Sequence, residues 1–288
     1  MGAVMRSVRH RLFASILLSA VVLGGCQSLD DVLKAAPKPT ARITGAQLQG
    51  LSLKKVDLVF DVEVSNPYGV SLPLVELGYA VGSGGQRIVE GTAKPSGAVP
   101  ANGTRVIQIP AGIEFASLMS AVKGVRPGSV VPYTADLNLG VDAPVVGRMD
   151  LPLSHSGELP VPAAPEVSLA AFDIGALSLD KVDATARLRV KNTNQFDLDL
   201  AKLALDLALG GKQVARTSLA NKARLAPGQS AMLDVPVSFS PRSFGTGVFN
   251  LLRGTEAGYG ISGSLEAGTR FGPLALPFKH SGKAPVSR

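Results

Sequence analysis

The chain has 288 residues, 45% of them hydrophobic but only 5% aromatic, with no Trp, 32 Gly, 20 Pro and a single Cys. That length suits one large or two ordinary domains, and the Gly and Pro content suits many strands joined by turns better than long helices. The formal charge is +7, spread without a dense Lys/Arg run or aromatic–basic interleaving, so nucleic acid is not an expected partner; one Cys excludes an intrachain disulfide and a multi-Cys zinc site.

Residues 1–25 have the three parts of a secretory signal peptide. The n-region MGAVMRSVRHR is basic, and the apolar run from Leu12 to Leu23 falls short of the ~20 residues that a membrane-spanning helix needs. The run closes on Leu23-Gly24-Gly25-Cys26. This resembles the lipobox of bacterial lipoproteins: a branched apolar residue, two small residues that let a peptidase approach the backbone, and the Cys whose thiol is acylated. The resemblance implies cleavage before Cys26 and an N-terminal lipid anchor to the membrane, stable where two or more chains are buried at ~0.8 kcal/mol per CH₂. Cleavage removes Arg6, Arg9 and Arg11 and leaves the chain near +4. Gln27, not Asp, follows the Cys; by analogy with lipoprotein sorting in Gram-negative bacteria this implies the outer membrane, facing the periplasm.

Residues 26–42 read as a lipidated tether. Leu29, Val32 and Leu33 can form one helical turn, and Pro37 and Pro39 stiffen and extend the chain after it. The first domain is expected over residues 43–157. A short strand at Ile43 to Leu48 leads into Leu51 to Asn66, LSLKKVDLVFDVEVSN. Here Val56, Leu58, Phe60, Val62 and Val64 alternate with polar positions, the period of a strand with one buried face.

This stretch recurs, offset by 126 positions, as Leu177 to Asn192, LSLDKVDATARLRVKN. The segments after it recur too. The apolar phase slips between Leu74 and Leu77, and again between Leu200 and Leu203, as a β-bulge requires. Gly82 to Gly85, paralleled by Gly210-Gly211, reads as a hairpin turn. A phosphate loop is excluded there because no Gly-Lys-Ser/Thr comes next. Turns at Pro100 to Gly103 and Ala226 to Gly228 are the next shared feature. Phe115, Leu118, Met119 and Val122, spaced at three and four, predict an amphipathic helix ending before Gly124. Phe244, Val248, Leu251 and Leu252 predict its counterpart before Gly254. Two strands, Val130 to Val141 and Val146 to Ser154, close the first domain at His155-Ser156-Gly157; the second closes at His280-Ser281-Gly282. Residues 158–166, with three prolines, read as a semi-rigid linker. Residues 167–282 form the second domain and residues 283–288 a frayed tail.

The order of elements, with a turn after Val62-Glu63-Val64-Ser65-Asn66-Pro67-Tyr68 and again after Leu188-Arg189-Val190-Lys191-Asn192-Thr193-Asn194, resembles the LEA type 2 or WHy domain (late embryogenesis abundant; water stress and hypersensitive response). The family's Asn-Pro-Asn-like motif is kept as Asn66 and Pro67 in one copy and as Asn192 and Asn194 in the other. The resemblance implies a mostly β protein: two tandem immunoglobulin- or fibronectin III-like antiparallel β-sandwich domains, each with one short α-helix. It also implies protection of proteins or membranes under desiccation, cold or osmotic stress. By their own chemistry Asn66 and Asn192 are turn residues, satisfying backbone groups and tolerating left-handed conformations.

Catalysis is not expected. His155 and His280 each sit in His-Ser-Gly, but a Ser-His-Asp site through Ser154 or Ser156 would need a strained nucleophile turn and an oxyanion hole. No His/Cys/carboxylate set has ligand spacing, so neither a metal nor another cofactor is expected. Asp57, Asp61 and Glu63 alternate along the outward side of the first long strand; the second presents Asp183, Arg187 and Arg189 there. Three functions remain open: stress protection through contacts with client proteins or envelope components, carriage of a lipid or other apolar ligand between sheets, and a structural part in an outer-membrane assembly.

Overall fold

The computed structural model describes residues 37–144 and 146–288. The signal peptide, Leu23, Gly24, Gly25, Cys26 and the helical turn of the tether lie outside the described residues.

The first repeat comprises β1 (Thr40–Gln49), β2 (Lys55–Ser65), β3 (Leu72–Ser83), β4 (Gln86–Ala93), the two-residue β5 (Ala98–Val99), β6 (Thr104–Glu114), α1 (Phe115–Ala121), β7 (Val130–Ala143) and β8 (Gly147–Pro160). The second comprises β9 (Glu166–Leu177), β10 (Val182–Lys191), β11 (Leu198–Leu209), β12 (Lys212–Leu225), β13 (Ser230–Phe239), α2 (Thr246–Arg253), β14 (Glu256–Thr269) and β15 (Gly272–Ser287).

In the first repeat β1-β2-β6 form one sheet and β4-β3-β7-β8 another, with β5 on β3. In the second the strands run β12-β11-β14-β15-β9-β10-β13. Pairing is antiparallel except at Val286↔Phe172, where the end of β15 runs parallel to β9.

The alternation in the two long strands decides this packing. Val56, Leu58, Phe60, Val62 and Val64 of β2 are all buried, as are Val182, Ala184, Ala186, Leu188 and Val190 of β10. The β2 side chains share one core with Leu72, Leu77 and Val81 of β3, Leu137 and Leu139 of β7, and Phe115 and Leu118 of α1. Those of β10 share a separate core with Leu203, Leu205 and Leu207 of β11, Leu265 of β14 and Leu252 of α2. Aliphatic side chains fill most of both cores, as the low aromatic content requires.

Both bulges are present. The register of β3 against β7 slips between Leu74 and Glu76, and that of β11 against both neighbours between Leu200 and Lys202. The hairpin tips match as well. Gly84-Gly85 (φ +56° and +77°) and Gly210-Gly211 (φ +56° and +80°) are two-residue turns with both φ values positive, the pair of left-handed conformations that a tight hairpin asks for and glycine alone takes freely. The edge strands β6 and β13 each carry a proline in mid-strand, Pro110 opposite Val59 and Pro236 opposite Thr185. Proline lacks a backbone donor and is tolerated in sheets at edges.

Four expectations need correction. The first strand starts at Thr40, three residues early. The semi-rigid linker expected at residues 158–166 is shorter and packed: Glu158 to Pro160 belong to β8, Glu166 to β9, and Val161, Pro162 and Pro165 between them are buried. Its prolines pack instead of merely stiffening. The tail is not frayed, since β15 extends to Ser287 and Val286 and Ser287 pair with Phe172 and Asp173. Phe244 is outside its expected helix: Pro241–Phe244 forms a 3-10 turn and Gly245, at φ +87°, separates it from α2. The copies also differ after their helices. Eight residues, 122–129, connect α1 to β7, whereas only Gly254 and Thr255 connect α2 to β14.

Candidate functional site

The motif residues lie in the turns that leave β2 and β10. Asn66 is 2% exposed and Asn192 fully buried. The Asn66 amide nitrogen donates to the carbonyls of Val70 (2.8 Å), Pro100 (2.9 Å) and Val99 (3.2 Å), and its Oδ1 accepts the Tyr68 N–H at 2.9 Å. The Asn192 amide donates to the carbonyls of Phe196 (2.8 Å) and Leu225 (3.0 Å), and its Oδ1 accepts from the Asn194 backbone at 2.9 Å. Each turn therefore ties the end of its long strand to a neighbouring strand end. Only a short side chain with two donors and an acceptor does this: Asp has no donors, and unpaired buried carbonyls are costly. Asn66 and Asn192 have the same structural job.

The next three residues do not. In the first copy they are Pro67, Tyr68 and Gly69. In the second they are Thr193, Asn194 and Gln195, and all three grip the first repeat or the segment joining the two. Asn194 Oδ1 accepts the Ala163 N–H at 2.7 Å while its amide donates to Ala163 O at 3.2 Å. Thr193 Oγ1 donates to Ala164 O at 3.0 Å. The Gln195 N–H donates to Gly128 O at 2.7 Å, and its Oε1 accepts the Val130 N–H at 3.0 Å. Gly128 belongs to the long connection after α1, which the second copy lacks.

Leu51, Leu53 and Val130 of the first repeat add apolar contact by packing on the second core. At the rim Arg270 lies 2.8 Å from Glu158 and 4.5 Å above the Phe271 ring; both charged groups are largely exposed, so the pair adds little stability. Sequence reasoning identified Asn192 and Asn194 but missed Thr193, Gln195 and Gly128. Two signals pointed to them: the polar replacements after Asn192 and the unequal spacing between helix and following strand.

The other singled-out residues do not assemble into chemistry. Ser154 Oγ donates to Asp136, not to a His. His155 sits edge-on to Phe60. His280 Nδ1 meets the Tyr259 hydroxyl at 3.0 Å, and that hydroxyl accepts the Leu169 N–H. Tyr133, at the place of Tyr259 in the first copy, has its phenol pKa raised by burial. Among the described residues no group of three His, Cys, Asp or Glu could hold a metal. The outward charges are answered locally: Glu63 pairs with Arg42, Arg187 bridges Asp173 and Asp234, and Lys181 and Ser238 hydrogen-bond Asp183 and hold its carboxyl below the usual range. The two strand faces thus differ in sign at Asp61 and Arg187 and at Glu63 and Arg189 but share it at Asp57 and Asp183, with most of that charge neutralised by neighbours.

Fold and turns together define a mostly β, two-copy protein whose motif residues bind the protein's own backbone. A family profile described as late embryogenesis abundant protein (LEA_2) matches residues 61–157 and 187–282, and the chain belongs to that family. It is 33% identical over 126 residues to the desiccation protectant protein Lea14 homolog of Glycine max, covering 44% of this chain and 83% of the relative. To the late embryogenesis abundant protein Lea14-A of Gossypium hirsutum it is 32% identical over 137 residues, 48% of this chain and 91% of the relative. The solution structure of the Arabidopsis thaliana protein AT1g01470 is 29% identical, covering 45% of this chain and 85% of that one, with a TM-score of 0.38.

Proposed function

We propose that the chain is a lipid-anchored, non-catalytic envelope protein, held by Cys26 in the outer membrane facing the periplasm. There it protects proteins or membranes against drying, cold or osmotic stress by direct contact. The two repeats, of the WHy kind, are then immunoglobulin- or fibronectin III-like sandwiches set beyond the anchor.

One observation carries the protective role: the family profile matches twice in one chain, and relatives that match about one repeat's length are named as a desiccation protectant and a probable desiccation-related protein. The geometry is compatible with it, since the motif side chains are spent on the fold and on the join between repeats, leaving protection to the outer surface.

Deleting the gene in the host and measuring survival after drying and after freeze–thaw tests the role. Survival should drop and be restored by the intact gene; unchanged survival would sink the proposal. Replacing Cys26 by Ser tests the anchor separately, because the protein should then leave the membrane fraction.

A further inference from the structure

The two repeats present the same end to different surroundings. In the second repeat the turn after Asn192 and the β14–β15 hairpin tip lie side by side. Their apolar residues Phe196 and Phe271 meet edge to face, with ring centroids 5.5 Å apart, and Phe196 is only 2% exposed. The tip faces the first repeat, since Arg270 and Phe271 line a cleft with Leu48, Tyr133 and Glu158.

In the first repeat the equivalent turn and tip also share one end. β3 starts beside the end of β7, through Leu74↔Val141, and the β7–β8 hairpin closes at Ala143↔Gly147. The residue at the place of Phe196 is Val70, and the tip carries Val146. They are 55% and 43% exposed, among the most exposed large hydrophobics of the described chain. The chain enters at this same end, because Thr40, the first residue of β1, pairs with Ser65, the last of β2.

We propose that this end of the first repeat, led by Val70 and Val146, rests on the lipid bilayer to which the chain is anchored. The inference rests on the Cys26 anchor proposed above. Ten residues, 27–36, separate Cys26 from Pro37, and ten residues span at most ~35 Å. The 11-residue β2 is itself about 36 Å long at ~3.3 Å per residue. The anchor therefore reaches lipid beside Val70 and Val146 far more readily than beside the opposite end of the repeat. Two valines on turn tips, with the exposed Lys38 next to the entering chain, suit a shallow contact. Apolar tips enter the boundary between headgroups and acyl chains while the cation stays among headgroups. The polar residues Thr193, Asn194 and Gln195, which bind backbone in the second copy, give way here to Pro67, Tyr68 and Gly69.

The chain has no Trp, so one introduced Trp reports on its own site. Val70→Trp and Val146→Trp, with Leu179→Trp in the turn between β9 and β10 as control, are made in the mature chain beginning at Cys26. Circular dichroism checks that each folds. The only thiol is coupled to a maleimide phospholipid in phosphatidylcholine–phosphatidylglycerol vesicles carrying some brominated lipid. Emission from Val70→Trp and Val146→Trp should move to the blue and lose about half its intensity, while Leu179→Trp stays unchanged, because bromine quenches only what enters the ~5–10 Å interfacial layer. Unchanged emission at both test positions overturns the proposal. So does a blue shift already present without vesicles, which would mean cover by residues 27–36, or one that grows with protein concentration without lipid, which would mean a second copy. Acylation of Cys26 in cells is followed separately with labelled palmitate. Quenching without labelling would sink the anchor and leave the lipid-binding end standing.

Discussion

A Cβ placed on Gly128 would lie 2.6 Å from the carbonyl oxygen of Thr193, so the two repeats meet backbone to backbone at this point. Gly128 also holds φ at +93°, where an L side chain is strained. Gly128→Ala should therefore open the contact between repeats while leaving each core intact. Coupled repeats should melt together in a calorimeter, and the variant should resolve into two transitions. An unchanged thermogram would show that the contact does not couple them.

The buried turn asparagines make a sharper demand. Asn192→Ala would strip the donors from the carbonyls of Phe196 and Leu225 and leave the Asn194 amide without its acceptor. At roughly 1–3 kcal/mol for each buried polar group left unpaired, the loss should be about 3 kcal/mol in denaturant unfolding. Asn66→Ala should cost a similar amount in the first repeat. Asn194→Ala should cost less global stability and act mainly on the join at Ala163, giving the same split melting as Gly128→Ala.

Tyr68 stands where the second copy has Asn194, and its buried hydroxyl has no hydrogen-bond partner among the described residues. Tyr68→Phe keeps the ring and removes the unpaired oxygen. The substitution should be neutral or stabilising by about 1 kcal/mol, read as a rise in the unfolding midpoint; a fall of that size would mean the hydroxyl is satisfied.

Burial raises the pKa of Tyr133 above its ordinary value of 10.0. A group whose pKa is higher folded than unfolded contributes stability below the unfolded value, and loses it as pH rises through the folded value. Stability should thus decline as pH climbs past about 10. Tyr133→Phe should flatten part of that alkaline limb in a pH series of melting temperatures, and an identical limb would exclude Tyr133 as its source.

Much of the fold was legible because its signals are local. The alternation from Val56 to Val64, the phase slip after Leu74 and the Gly84-Gly85 turn each depend on a few neighbouring residues, and each recurs 126 positions later or nearly so. The pairing of Asn194 with Ala163 was not legible, because it joins residues 31 positions apart through a connection that looked like a spacer. Prolines in residues 158–166 read as stiffness, whereas Pro162 and Pro165 are buried; composition alone does not distinguish a stiff linker from a packed one. Phe244 fitted a helical spacing, but Gly245 at positive φ breaks the helix just after it, and nothing in a count of threes and fours weighs that glycine. The family turn was found by its pattern, and its division of labour, with Asn66 and Asn192 tying strands while Asn194 and its neighbour Thr193 grip the linker, needed three dimensions.

Drying removes water but not protein, so any molecule that works in a drying compartment is pushed against its own kind at rising concentration. An open strand edge is then a hazard, because its free N–H and C=O groups invite another strand to zip on. Pro110 and Pro236 each interrupt such an edge at the middle of β6 and β13. The same two residues that look like minor flaws in a ladder should help the protein pass through the dry state and return to solution as separate molecules.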